Sequence, residues 1–241
     1  SASQIPDIES ALVRCRIPYV VRGGQGLFQT EEARDLFSYL KLLVNPNDAI
    51  AFKRAISTPS RKLGPVAVEK LQATAIAKFS GDMLKAAVAS DHPVLKPFAE
   101  FIEDMGRMDS PADALRKLVK RINYRQIIAD RAKGKEDVLE RKEGNLTRIL
   151  EAIEGMVEAS PELTFTDIVF RVTMDSRQEA ETDEGVVIIS TIHVAKGLEW
   201  PRVFVTNVFE GSLPHQWSST PEEVEEERRL FYVACTRAVE V

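Results

Sequence analysis

The sequence predicts an α/β fold interrupted by an all-helical insertion, and three observations predict it. A short apolar run, Tyr19-Val20-Val21, reads as a strand near the start. From Thr30 to about Met174 the apolar spacing is almost wholly helical. The period then changes, with Val186-Val187-Ile188-Ile189 and Val203-Phe204-Val205-Thr206 reading as strands before a charged helix. Strand-bearing segments on both sides of a helical block imply one domain with a second inserted into it. The 241 residues suffice for one large or two modest domains with a buried core.

Each element follows from local signals. Asp7 to Arg16 has helical spacing and leads into the first strand. Arg22-Gly23-Gly24-Gln25-Gly26 breaks that strand, because these glycines permit positive φ and a sharp change of direction, as a hinge or domain crossing requires. No glycine-rich phosphate-binding pattern can be completed there. Leu36, Phe37, Leu40, Leu43 and Val44 share one helical face, and Asn45-Pro46-Asn47-Asp48 stops that helix before Ile50, Phe52 and Ile56 begin the next. Further stripes run through Val94, Leu95, Phe98, Phe101, Ile102 and Met105, then Leu115, Leu118, Val119 and Ile122, then Leu146, Ile149, Leu150, Ile153, Met156 and Val157. All are read as core faces. Pro65, Pro93, Pro111 and Pro161 fall near helix starts, where the missing N–H costs little. After an acidic linker, Glu179 to Gly185, the strands return. The expected division is therefore residues 1–22 and 184–241 in the interrupted domain and 23–183 in the insertion, with crossings near Gly23 and Asp183.

Composition narrows the class. Cys15 and Cys235 are the only cysteines, so there is neither a disulfide framework nor a metal-binding spacing. No apolar run approaches membrane-spanning length, and Ser1-Ala2-Ser3-Gln4 lacks the basic and apolar regions of a signal peptide, so the chain reads as soluble and cytoplasmic. A formal charge of −5 runs against nucleic-acid binding by the chain as a whole. Its distribution matters more. Acid gathers in Glu179, Glu181, Asp183 and Glu184 and again in Glu222, Glu223, Glu225, Glu226 and Glu227. Arg116, Lys117, Lys120, Arg121, Arg125, Arg131, Lys133 and Lys135 form a basic stretch broken only by Asp130, either a solvated helix face or a surface that touches DNA.

Two blocks carry the chemistry. Thr191-Ile192-His193-Val194-Ala195-Lys196-Gly197-Leu198-Glu199-Trp200 lies between two strand-like runs, in a loop at a strand end, where open α/β sheets bind ligands. Glu226-Glu227-Arg228-Arg229-Leu230-Phe231-Tyr232-Val233-Ala234-Cys235-Thr236-Arg237-Ala238 reads as a charged helix with an arginine in its last turn. An arginine reaching a phosphate held by another domain stabilises charge during phosphoryl transfer.

Together these blocks resemble motifs V and VI of the superfamily 1 helicases of the UvrD, Rep and PcrA type. The resemblance extends through Ile17-Pro18-Tyr19-Val20-Val21-Arg22-Gly23-Gly24, Tyr39-Leu40-Lys41-Leu42-Leu43-Val44-Asn45-Pro46-Asn47-Asp48 and Thr58-Pro59-Ser60-Arg61-Lys62-Leu63-Gly64, and so covers nearly the whole chain in order. It implies a RecA-like, P-loop NTPase-type domain 2A, present in part, carrying the helical insertion 2B. The implied activity is that of an ATP-dependent 3′-to-5′ DNA helicase in DNA repair or replication. ATP with Mg2+ would be bound mainly by a second RecA-like domain, 1A, and the DNA partners would be single strands and single-strand/duplex junctions.

Residue by residue, the resemblance assigns Arg237 to the γ-phosphate, Glu199 to the ribose and Gly197 to close backbone approach at the nucleotide. Thr191 and His193 match the end of motif V that faces single-stranded DNA. Arg61, Lys62 and Gly64 correspond to the family's Gly-Ile-Gly turn, which offers backbone N–H groups to duplex phosphates; here Lys62 replaces the first glycine and adds a positive charge. Glu226, Glu227, Arg228 and Arg229 read as salt-bridging residues, Tyr232 as packing or coupling, and His215 as structural.

What is missing also matters. Gly134-Lys135 is followed by Glu136 rather than Ser or Thr, so there is no Walker A segment, and motifs III and IV and the magnesium-binding acidic motif are absent too. The expectation is a C-terminal piece of a larger helicase, inactive alone. The alternative is a non-catalytic DNA- or partner-binding module on a degenerate RecA-like remnant, which would have no need of Arg237 or Glu199.

Overall fold

A computed structural model describes residues 5–15, 17–22, 26–175 and 185–240. The chain separates into two compact units: Ser1–Ile5, Pro18–Gln25 and Thr182–Val241 make the smaller, and Pro6–Ile17 with Gly26–Glu181 the larger. The expected crossing points at Gly23 and Asp183, the Gly23-Gly24 hinge and the acidic residues Glu179, Glu181, Asp183 and Glu184 lie outside the described residues.

In the smaller unit, β1 (Tyr19–Arg22) pairs in parallel with β2 (Val187–Ser190), in register from Tyr19 opposite Val187 to Arg22 opposite Ser190. The long helical stretch of the sequence thus runs between two neighbouring strands. Tyr19, Val20 and Ile189 are buried. The expected strand Val203–Thr206 does not form; the run has no regular secondary structure, and Phe204 is 89% exposed. A strand needs a neighbour to take up its backbone groups, and among the described residues the sheet is β1 and β2 alone. Beyond it stands α11 (Pro221–Cys235).

The larger unit is helical throughout, with α1 (Ile5–Arg14), α2 (Glu31–Val44), α3 (Ala49–Ser57), α4 (Pro65–Lys78), α5 (Met83–Ala89), α6 (Leu95–Gly106), α7 (Pro111–Arg121), α8 (Tyr124–Ala132), α9 (Glu136–Ala159) and α10 (Phe165–Asp175). Local chemistry sets the starts. Thr30, Asp48, Asp82 and Ser110 each accept a backbone N–H as N-caps, and Pro65 and Pro111 open α4 and α7. Leu36, Leu40, Phe52, Ile56, Ile102, Met105 and Leu115 are fully buried, as their stripes require. Ile50 is not, at 84% exposed. Its place in the helix does not share a face with Phe52, Ala55 and Ile56, which carry the burial of α3.

The sequence assigns residues 1–22 to the strand-bearing domain, whereas Pro6–Ile17 groups with the helices. Specific contacts hold α1 there. Buried Glu9 accepts the Leu27 N–H at 2.6 Å, Asp7 pairs with Arg148 of α9, and a Cβ on Gly155 would meet Arg14 Cγ at 2.9 Å. Gly26 has an ordinary φ of −62°. Space, not a left-handed turn, is what it supplies, since a Cβ would lie 2.9 Å from Glu9 Oε1.

A buried polar network ties α2 to three other helices. Asp35, whose side chain is 2% exposed, accepts from Arg54 Nε at 2.7 Å, Tyr124 Oη at 2.9 Å and an Arg131 guanidinium nitrogen at 2.6 Å. Glu32 accepts from Lys142 Nζ at 2.7 Å and Asn145 Nδ2 at 3.0 Å, and Lys142 also reaches Glu31 at 2.6 Å. Burial pushes the Tyr124 phenol well above its ordinary range, with the Asp35 charge adding to it. Charge buried in this way persists only where it is paired and hydrogen-bonded.

Candidate nucleotide and nucleic-acid sites

Beyond Ser190 the chain leaves β2 and coils tightly. Thr191 O accepts from Val194 N at 3.1 Å and Ala195 N at 3.0 Å, and Leu198 N donates to Ala195 O at 3.1 Å. Gly197 follows with φ +86°, a conformation that a side chain disfavours. The loop is then stitched to the end of α11. Trp200 N donates to Arg237 O at 2.9 Å, and Val239 N donates to Trp200 O at 2.9 Å, forming a parallel bridge between Trp200 and Ala238. Residues far apart in sequence, Glu199 and Arg237, therefore flank one backbone junction.

Arg237 engages all three of its guanidinium nitrogens locally. Nε donates to Val233 O, one terminal nitrogen to Leu198 O and the other to Thr236 Oγ1, each at 3.1 Å. One of these bonds satisfies a carbonyl in the last turn of α11, as a C-terminal arginine does, and another holds the 197–199 turn. Glu199 and His193 are exposed and Thr191 is half-buried on the same loop.

α11, which starts in a capping box, ends at Cys235, so Arg237 lies just beyond the last turn in which the sequence places it. Glu223 N donates to Thr220 Oγ1 at 3.2 Å while Glu223 Oε2 accepts Thr220 N at 3.0 Å and Ser219 N at 2.9 Å. These backbone donors hold the Glu223 carboxyl below the usual carboxylate range. Arg228 pairs with Glu225 at 2.6 Å and Arg229 with Glu226 at 3.3 Å, surface ion pairs spaced three residues apart. His215 Nδ1 accepts the Trp217 N–H at 3.4 Å inside its own turn.

The second candidate site is the turn between α3 and α4, in the larger unit. Arg61 is not free for a phosphate. One terminal nitrogen donates to Ala55 O at 2.9 Å, Ile56 O at 3.0 Å and Pro59 O at 3.2 Å, and the other donates to Tyr39 Oη at 3.0 Å. Its guanidinium also lies 4.9 Å from the Phe98 ring centroid. Tyr39, fully buried, donates in turn to Thr58 O. Arg61 thus closes the carbonyl end of α3 and fixes the turn. Lys62, by contrast, is exposed, with φ 56°. The lysine adopts the left-handed conformation that a glycine would take without strain. Gly64 is the N-cap of α4, exposed, with nothing within 4 Å of a Cβ placed there. No local signal reveals the partnership of Arg61 with Tyr39, 22 residues away.

The family model for the UvrD-like helicase C-terminal domain matches residues 1–240. The chain belongs to that family. Among curated relatives of this UvrD-like domain, the ATP-dependent DNA helicase Rep of Salmonella typhimurium is 32% identical over 246 residues, covering 95% of this chain and 36% of the relative. The ATP-dependent DNA helicase PcrA of Bacillus subtilis is 31% identical over 255 residues, 96% of this chain and 33% of that protein. ATP-dependent DNA helicase UvrD1 of Mycobacterium bovis is 33% identical over 260 residues, with coverage of 96% and 33%. This UvrD-like chain spans about a third of the length of these relatives. Among its described residues no helix is long and apolar enough to cross a membrane.

Proposed function

We propose that this chain is the 2A/2B half of a superfamily 1A helicase that uses ATP to move 3′-to-5′ along single-stranded DNA and to open duplexes, in DNA repair or replication. The observation that supports this reading is the bridge between Trp200 and Ala238, which holds Glu199 and Arg237 at one junction. A binding module would have no use for that pairing. In this reading the smaller unit is the RecA-like domain 2A and the helical unit is 2B.

Arg237 supplies positive charge to the γ-phosphate, Glu199 accepts from the ribose and Gly197 lets backbone approach the nucleotide. The three bonds that Arg237 makes leave two of its five guanidinium N–H donors for a phosphate oxygen, which accepts a stronger, charge-assisted bond than a neutral carbonyl does. Mg2+ accompanies ATP, but among the described residues no group of three His, Cys, Asp or Glu could hold it. Its ligands, and most of the nucleotide contacts, belong to the partner RecA-like domain 1A. Thr191 and His193 donate to single-strand phosphates, and Lys62 with the N-terminal end of α4 at Gly64 faces duplex phosphates at a junction. Arg61 acts through the turn it holds.

The test is Arg237→Ala in the complete enzyme. kcat should fall by roughly 10³ or more while ATP binding changes only modestly, as expected for charge that acts in the transition state. A rise in KM with kcat intact would make Arg237 a ground-state binder and sink the assignment.

A further inference from the structure

We infer that the exposed cations at the junction of α7 and α8, Lys117, Lys120, Arg121 and Arg125, form a second phosphate-contacting surface for duplex DNA on the helical unit. The structure sorts the basic stretch of the sequence into two sets. Arg116 is taken up by Glu154 at 2.6 Å and Asp113 at 2.9 Å, and Arg131 by Asp35 at 2.6 Å and Glu31 at 3.1 Å. Lys133 and Lys135 are also exposed and make no ion pair among the described residues, but they stand beside the acidic first turn of α9, Glu136 and Asp137, whose charge offsets theirs. Lys117, Lys120, Arg121 and Arg125 are exposed and make no ion pair among the described residues. Lys117, Lys120 and Arg121 stand three and four residues apart, on one side of α7. Arg125 follows in the first turn of α8.

Two further observations point to duplex phosphates. The Arg121 guanidinium lies 5.9 Å from the ring of Phe101, and that of Arg61 lies 4.9 Å from the ring of Phe98, one turn earlier on the same helix α6. The α7 end and the turn bearing Lys62 therefore both abut α6, within one compact unit. Single-strand binding relies on exposed aromatic side chains that stack with bases. The one aromatic residue of α7 and α8, Tyr124, is fully buried. Exposed cations without a stacking platform suit a regular phosphate backbone and carry no sequence preference. The net charge of −5 does not oppose this, because the acidic run Glu222–Glu227 belongs to the smaller unit.

The inference shares its partner with the proposed role of Lys62, and the experiment separates them. Binding of the full 241-residue chain to a blunt fluorescein-labelled duplex is measured by anisotropy across a salt series. K117Q/K120Q/R125Q should lower the log–log salt slope by about 2.7, from about 0.9 per lost phosphate contact. Lys62→Ala should lower it by about 0.9 on its own, and Lys78→Gln, an exposed lysine on α4, should leave it unchanged. A slope unmoved by the triple change overturns the inference while leaving the role of Lys62 standing; a fall in the triple variant alone supports the inference and removes that role. Equal falls per charge in the Lys78 variant would reduce the effect to bulk charge and overturn it. Should the triple variant melt early, the single changes K117Q, K120Q and R125Q decide: a fall of about 0.9 in each supports the surface, and slopes unmoved in all three overturn it.

Discussion

Arg61 and Lys62 are adjacent and do opposite things. Arg61 spends its donors on three carbonyls and a tyrosine hydroxyl, so Arg61→Ala leaves those acceptors short and should cost about 2 kcal/mol in urea unfolding. Lys62 contributes no such contact and sits at φ 56°. Left-handed backbone costs an L-residue roughly 1 kcal/mol, so Lys62→Gly should stabilise the chain by about 0.5–1 kcal/mol. A urea midpoint that failed to rise would mean that the turn does not hold this conformation in solution. Lys62→Gly should also weaken duplex binding, which separates the stability of the turn from its charge.

At the scale of the element, α2 is held through its acidic face. Asp35→Ala would strip a carboxylate from between Arg54 and Arg131 and should destabilise the helical unit by about 3 kcal/mol, a loss that chemical denaturation would read directly. Glu31 adds a pH dependence. The hydrogen bond from Lys142 holds its carboxyl below the ordinary glutamate range, and the charges of Arg131 and Lys142 act the same way. A carboxylate lowered in the folded state stabilises it above the unfolded pKa, near 4.3, and loses that contribution as pH falls through the folded value. Melting temperature should therefore drop on acidification through this window, and Glu31→Gln should flatten that limb of the curve. In α11 the capping box makes Thr220→Ala cost about 1 kcal/mol of helix stability.

For the whole molecule, the proposed function predicts that the 241-residue chain alone shows no DNA-stimulated phosphate release, because Glu199 and Arg237 line only one wall of a nucleotide site. Turnover abolished by Arg237→Ala would overturn that view; turnover that survives the change would mark a contaminant. The exposed side chains of Phe204, Trp217 and Tyr232 all belong to the smaller unit, while the larger unit buries its aromatic cluster of Tyr39, Phe52 and Phe98. The two units thus differ in how completely their described residues close a core.

The sequence by itself determined the helical character of the 30–174 stretch, the prolines that open α4 and α7, the β1 and β2 runs and the ordered motifs that carry the family resemblance. These depend on the spacing of near neighbours, which the chain states directly. Only the tertiary structure decided that Val203–Thr206 forms no strand, that Ile50 faces outward, that Arg131 pairs with the buried Asp35 and that Arg61 is a clasp. Each of those outcomes rests on a partner far along the chain or on the lack of one: a ladder needs a second strand, and a charge is neutralised by whatever the fold brings beside it. The meeting of Glu199 with Arg237 is of the same kind, for it takes the backbone bridge at Trp200 to bring them together.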